Sequence, residues 1–308
     1  MRSKYFLHIF FCLLAAQFCS INAFSQMRDD GISDLFTRHE LSFSAGANNL
    51  LGDLGGNQGA GKTFIKDYML KTVKPIIGFS YAYYPENWYK LTFGFNVTQV
   101  NGADSLIKNT GNLERWRVYR NLSFRSNITE AYAGAEIYIR SLIDKYHTVH
   151  QLDPFINLGV GLFHFNPQTK YQGQWIDLQP LHLEGQGFAE YPDRKQYNLT
   201  QIYIPVSFGL KYYLDDHFAI SGGATFRKTF TDYIDDVSTA YIDPALFYKY
   251  LAPDKAALAT QLYERSLTPG KVKPGVDRGH KGNDSYVSIF FTLSYVFGKG
   301  GPFYYGGM

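Results

Sequence analysis

Cysteine is almost missing from this 308-residue chain, and long apolar runs are missing from all but its first residues. The only two cysteines, Cys12 and Cys19, stand near the N-terminus. The rest of the chain can therefore form no disulfide, thiolate nucleophile or cysteine-ligated metal site. Past Phe18 no apolar run approaches the roughly 20 residues that a membrane helix requires. An excess of charge is missing too. Lys and Arg number 30 against 27 Asp and Glu, too even a balance for a surface that must neutralise nucleic-acid phosphates.

The N-terminus has the layout of an export signal. Arg2 and Lys4 precede an apolar stretch from Tyr5 to Phe18, and the smaller, more polar Ser20-Ile21-Asn22-Ala23 follow. The core is short and broken by His8 and Gln17, which favours a cleaved signal peptide over a membrane anchor. Cleavage is expected after Ala23, with Ser25 the second choice. Bulky Phe18 before Cys19 argues against a lipid-modified cysteine. Losing Arg2 and Lys4 lowers 30 basic residues to 28, a formal charge of +1 against the 27 acids.

Aromatic residues are abundant, at 17% of the chain with 25 Tyr and 25 Phe. Mean hydropathy is nevertheless −0.23. Strands that alternate apolar and polar residues reconcile the two, because side chains point to opposite faces in turn. Eight segments alternate: 39–48, 75–84, 88–98, 121–139, 154–165, 201–213, 217–229 and 285–297. In the third, Tyr89, Leu91, Phe93, Phe95 and Val97 oppose Lys90, Thr92, Gly94, Asn96 and Thr98. The fourth changes parity, with Leu122, Phe124 and Ile128 on one and Ala131, Ala133, Ala135, Ile137 and Ile139 on the other. A bulge near Thr129 is expected to reconcile them. About ten residues is the length a tilted strand needs to cross a bilayer, and soluble sandwiches use shorter strands.

The connections separate a barrel from a sandwich. Segments 49–74, 99–120, 166–200 and 230–284 are long, whereas 85–87 and 214–216 are tight and 140–153 is intermediate. Long outer loops alternating with short periplasmic turns mark an outer-membrane barrel. The expected fold is an all-β, eight-stranded antiparallel transmembrane barrel over 39–297. A signal peptide over 1–23 and a periplasmic segment over 24–38 precede it, and a periplasmic tail over 298–308 follows. Within the 230–284 loop, Asp254–Arg265 has an acidic start, Ala- and Leu-rich middle and basic end, which predicts a short helix. Its Leu258, Ala259 and Leu262 would dock on the loop. Tyr83, Tyr84, Trp88 and Tyr89, with Tyr212, Tyr213 and Phe218, should sit at the periplasmic membrane interface.

The inward parity carries Lys90, Glu130, Glu136, Lys211 and Arg227. Buried charges must pair or stay hydrated, and both signs are present. They are expected to form an ion-paired plug, with some free to sit hydrated at the rims. Gly56-Asn-Gln-Gly-Ala-Gly61-Lys62-Thr63 matches a phosphate-cradling loop, but that chemistry needs a following helix and a nucleotide supply. The acids of Asp232-Tyr233-Ile234-Asp235-Asp236 could take calcium, yet their spacing fits no known loop, and a solvated loop base is the simpler expectation. His147, His150, His164 and His182 show no ligand spacing. No nucleophile and base are placed together. No enzyme activity, cofactor, metal, nucleotide or nucleic acid is expected.

Several stretches resemble one family. These are Asn49–Gly55, Arg120–Asn127, Pro154–Phe165, Phe230–Thr239, Arg278-Gly279 and Asn283–Tyr286. Over about 38–298 the chain resembles the PorG-like outer-membrane barrels of Bacteroidota, which include the barrel subunit of the type IX secretion machinery. Asp232, Tyr233, Asp235, Asp236 and Asp284 carry the most specific part of the likeness. It implies a non-enzymatic barrel embedded in outer-membrane lipid and associated with periplasmic secretion-ring proteins, a lipoprotein among them. A small channel or a surface ligand-binding barrel, using loops 166–200 and 230–284, is the alternative.

Overall fold

A computed structural model describes residues 37–54, 70–107 and 112–299. The expected leader, the Gly56–Thr63 motif and the chain beyond residue 299 lie outside these residues. Among the described residues nine strands form: β1 Thr37–Leu51, β2 Lys74–Glu86, β3 Tyr89–Ala103, β4 Ser123–Tyr138, β5 Leu152–Tyr171, β6 Gln174–Asp177, β7 Thr200–Tyr213, β8 Phe218–Thr229 and β9 Ser285–Lys299. Every pairing is antiparallel, and β1 pairs β9 from Thr37↔Lys299 to Leu51↔Ser285. With β4 on β5 and β5 on β7, the ring closes on eight strands. Closure leaves no edge with unpaired backbone groups, the condition for crossing hydrocarbon. β6 stands apart from the ring. It folds back on the end of β5 through Gln172 and Gly173, both at positive φ, the geometry of a two-residue hairpin turn.

The outward parity makes an apolar belt. Phe79 on β2, Phe95 on β3, Leu158 on β5, Phe208 on β7 and Phe291 on β9 are each at least half exposed. Holding such a side chain in water forgoes about 1.5–3 kcal/mol each, and a continuous belt of them marks a lipid-facing surface. β4 contributes Ala131, Ala133 and Ala135, which lie in register between Phe95, Phe93 and Leu91 of β3 and Leu162, Val160 and Leu158 of β5. Among the described residues no helix is long and apolar enough to cross a membrane, so the strands do the crossing.

The expected bulge near Thr129 does not form. β4 pairs both neighbours in unbroken register. Leu122, Phe124 and Ile128 simply point inward, into an apolar core filling one end of the lumen with Phe163, Phe165 and Tyr286. The change of parity therefore reflects lumen packing, not irregular pairing.

The two ends differ. The turn end carries the ends of the β1–β9 pair and the short connections at 87–88 and 214–217. Tyr83, His39, Phe297, Tyr295 and Phe218 form a chain of ring contacts there, with centroids 5.4–6.0 Å apart. Tyr84 and Tyr213, expected in this girdle, are instead inward and buried, because each follows an outward neighbour along its strand. The 139–151 connection begins with α2 (Ile139–Ile143), whose first N–H groups bind Asp153. Its Val149 packs on Tyr213, Ala219 and Val296, partly closing that end.

At the other end the long loops form a folded cap. It holds α1 (Asn112–Arg120), α3 (Ala245–Tyr250) and α4 (Pro253–Leu262). Helix α4 begins with Pro at its first turn and acidic Asp254, as propensity and the helix dipole favour. Ala259 and Leu262 are buried and Leu258 packs beside them, in a core shared with Leu183, Phe188, Tyr241 and Phe247. This core is separate from the one inside the barrel mouth.

Candidate functional site

The lumen is built as layers. Nearest the turn end, Lys90 on β3 reaches Glu40 on β1 at 2.9 Å and Glu136 on β4 at 3.0 Å. Lys211 on β7 pairs with the other oxygen of Glu40. Three tyrosines back this layer. Tyr84 donates to Glu40 and lies 2.8 Å from the Lys211 ammonium. Tyr138 donates to Glu136 at 2.8 Å, and Tyr213 lies with its ring 5.0 Å from the same ammonium. Pairing with both charge and hydroxyl partners is what lets four ionic groups be buried together.

A second ionic layer crosses the lumen nearer the cap. The Arg227 guanidinium on β8 pairs with Glu130 on β4 at 2.8 Å. Asn96 and Tyr286 each donate to that carboxylate at 2.6 Å, and Arg227 donates to Ser288 at 2.8 Å. Between the layers lies an internal cavity of about 90 Å³. Its walls carry Ser–Thr hydroxyl pairs, such as Ser44 with Thr292 at 2.8 Å and Ser207 with Thr225 at 2.9 Å. Such a polar chamber has room for several waters. The two ionic layers, with Tyr132 and Tyr203, contribute to its lining.

Above it, the apolar core meets a network that stitches the loops together. Arg120 binds Asp104 through two 2.8 Å contacts and donates to the Asp53 and Arg278 carbonyls. Arg278 donates to Glu184 at 3.0 Å and to the Asp236 carbonyl. Glu184 also accepts from the backbone of Ser238 and Thr239, at 3.0 and 2.9 Å. Four connections thus share one buried polar junction.

The acidic signature sits in this junction. Asp232 accepts from Gly282 N–H and the Ser238 hydroxyl, at 2.9 and 2.8 Å. Asp235 accepts from Leu54 and Val237 N–H, at 2.9 and 3.0 Å. Asp236 accepts from the Tyr197 hydroxyl at 2.7 Å, and Tyr233 stacks on Tyr197 at 4.6 Å. Asp284 accepts from Ile234 N–H at 2.9 Å. The expected solvated loop base is instead buried, with Asp235 and Asp236 wholly inaccessible. Burial raises Asp236 to about 7 although Arg278 opposes it. Burial and then Asp53 lift Asp235 well above the usual carboxylate range, and burial and then Asp235 do the same for Asp284. Among the described residues no three His, Cys, Asp or Glu are arranged to hold a metal ion. The acids hold backbone amides, and so pin the 230–284 loop to the barrel mouth.

All five inward charges expected from parity are buried, none hydrated at a rim. They do not form one cluster. Glu130 and Arg227 belong to the layer near the cap, whereas Lys90, Glu136 and Lys211 meet through Glu40. Glu40 is not among the expected five, since it stands at the very start of the first alternating segment, although it shares the parity of Ser42 and Ser44. Asp53, Asp104 and Glu184 lie in loops, where no periodicity marks a residue.

No family model matches this chain, and no curated protein does. Among solved structures it is similar to Ail, the attachment invasion locus protein of Yersinia pestis, in complex with the heparin analogue sucrose octasulfate. That likeness has 10% identity, spans 85% of this chain and 100% of that one, and has a TM-score of 0.38. Neisserial surface protein A is similar at 10% identity, over 84% and 97% of the two chains, with a TM-score of 0.38. The outer membrane protein OprG of Pseudomonas aeruginosa is similar at 10% identity, over 86% and 97%, with a TM-score of 0.35. What places this chain is its own closed ring, long-loop cap and lipid-facing belt: it is an eight-stranded antiparallel barrel of the outer-membrane type.

Proposed function

We propose that this protein is a non-enzymatic outer-membrane barrel that anchors part of a protein-secretion machinery of the type IX class. The carrying observation is the sealed lumen. Two ionic layers and an apolar core cross the described lumen and leave a chamber of about 90 Å³ between them, too small for solute traffic. Work then falls to the two faces. In this reading the N-terminal signal is cleaved near Ala23 after export, and the turn end faces the periplasm. That end holds a secretion ring that includes a lipoprotein. The likeness of the 230–239 and 283–286 stretches to PorG-like barrels supports the same role. Deleting the gene should abolish export of cargo bearing the system's C-terminal signal, and normal export would overturn the proposal.

One observation favours a second reading, a surface ligand-binding barrel. An open cleft of about 620 Å³ lies in the cap between 190–194 and 277–281, with Asp193, Asp277 and Lys281 exposed at its walls. Cells carrying Asp193→Ala and Asp277→Ala together would then lose adhesion or ligand uptake while export stays intact.

A further inference from the structure

Arg38 is the second residue of β1, at the turn end, in register with Tyr84 and Gly298. It has the inward parity of Glu40 and Ser42, and is 5% exposed. Its guanidinium lies face-on over the Tyr84 ring, 4.0 Å from the centroid. Stacking of this kind leaves the N–H donors pointing edgewise. Two of them, Nε and Nη2, are buried without a hydrogen-bond partner. Among the described residues no carboxylate pairs with it.

This is unlike every other buried cation of the lumen. Lys90, Lys211 and Arg227 each have a carboxylate within 3.0 Å. The two lysines already balance Glu40 and Glu136, so among the described residues Arg38 gives this layer one uncompensated positive charge. A buried charge without a partner is expensive. Nε and Nη2 together form one edge of the guanidinium, spaced to bind the two oxygens of a single carboxylate.

We propose that Arg38 is a carboxylate socket at the periplasmic mouth, filled by an Asp or Glu side chain of an acidic segment in a periplasmic partner. The proposal rests on the reading that this end faces the periplasm and a secretion ring. A lipid phosphate is disfavoured by position, because Arg38 points into the ring of strands and not toward the belt. Both donors are shut off from solvent, so an entering segment has to displace what covers them at this end.

The test uses the full chain in detergent micelles with ¹⁵N-labelled arginine. The Arg38 Nε–H signal is assigned by its loss in Arg38→Lys. Sodium acetate is titrated against sodium chloride at equal ionic strength, followed by an N-acetylated, C-amidated triglutamate peptide. The signal should move saturably with acetate and not with chloride. The peptide should reach half-saturation at a concentration at least about tenfold lower, because several charges meet a net positive mouth. No saturable shift with either probe overturns the socket. Equal strength for peptide and acetate overturns the protein occupant and leaves a small-anion site. In cells, Arg38→Gln and Arg38→Lys should each lower recovery of co-purifying periplasmic protein severalfold at unchanged barrel abundance. Peptide binding without any co-purifying ring protein would uphold the socket and sink the secretion role. Ring recovery unaffected by either variant, with no peptide binding, would do the reverse.

Discussion

Arg227 on β8 grips Glu130 on β4 across the lumen, with its Nε 2.9 Å from each carboxylate oxygen. Both groups are almost wholly buried, so each charge depends chiefly on the other. Replacing Glu130 with Ala should destabilise the barrel by about 3–5 kcal/mol, the cost of an uncompensated buried charge. Glu130→Leu combined with Arg227→Met should cost less than the two single changes summed. Urea unfolding in lipid vesicles, followed by tryptophan fluorescence, measures both.

The same pair, with the Glu40 layer below it, predicts an electrically quiet barrel. In planar bilayers the purified protein should show no stable, porin-sized conductance. Lys211→Ala with Tyr84→Ala removes two of the groups that close the lower layer, and should introduce brief small openings. A large stable conductance in the unaltered protein would refute the sealed lumen.

Acid should tighten the cap. Asp236 is raised to about 7, and Asp235 and Asp284 are also raised. The reference value for an unfolded Asp is about 3.9. A carboxyl raised on folding binds its proton more tightly in the folded state, so its contribution is full below about 4. For Asp236 that contribution is lost as pH rises to about 7. Amide exchange in 230–284, corrected for intrinsic rate, should therefore be faster at pH 8 than at pH 5. Asp236→Asn should flatten the dependence.

Arg278 holds the cap without holding the barrel. Arg278→Ala leaves Glu184 buried without its cation, and should expose the 184–194 and 230–284 loops to protease. Strand pairing lies below this junction, so the heat-modifiable gel shift of the barrel should persist. Loss of the folded barrel itself would show that cap and strands form one cooperative unit.

Gly94 pairs Tyr132 on β4, and a Cβ there would meet the Tyr132 ring. Gly94→Ala should therefore cost about 1–3 kcal/mol through overpacking. Tyr132→Leu should relieve much of that penalty in the double variant, which the same urea titration reads out.

Much of the barrel is legible in the amino-acid pattern. The alternation in 88–98 places Leu91, Phe93, Phe95 and Val97 on the lipid face, where they are exposed, and Lys90 and Asn96 inside. The short connections at 85–87 and 214–216 announce the turn end. Where the pattern misleads, lumen packing is the cause. Ile128 looks out of phase if apolar residues are assigned outward, yet the barrel mouth buries apolar side chains inward against the cap. Helix α3 and strand β6 leave no mark in the pattern: six and four residues are too short for a period to register.

Strand faces, the alternation of long and short connections, and the presence of both charge signs in the lumen are local properties, set by a side-chain period of two. They follow from residue order alone. Which charges meet is a matter of the closed ring. Glu40 joins Lys90 and Lys211 from three strands, Glu130 finds Arg227 in another layer, and Arg38 lies over Tyr84 with no carboxylate partner among the described residues. Such partnerships depend on ring closure and strand stagger, which bring together residues as far apart as Glu40 and Lys211 and leave no trace in the spacing of either.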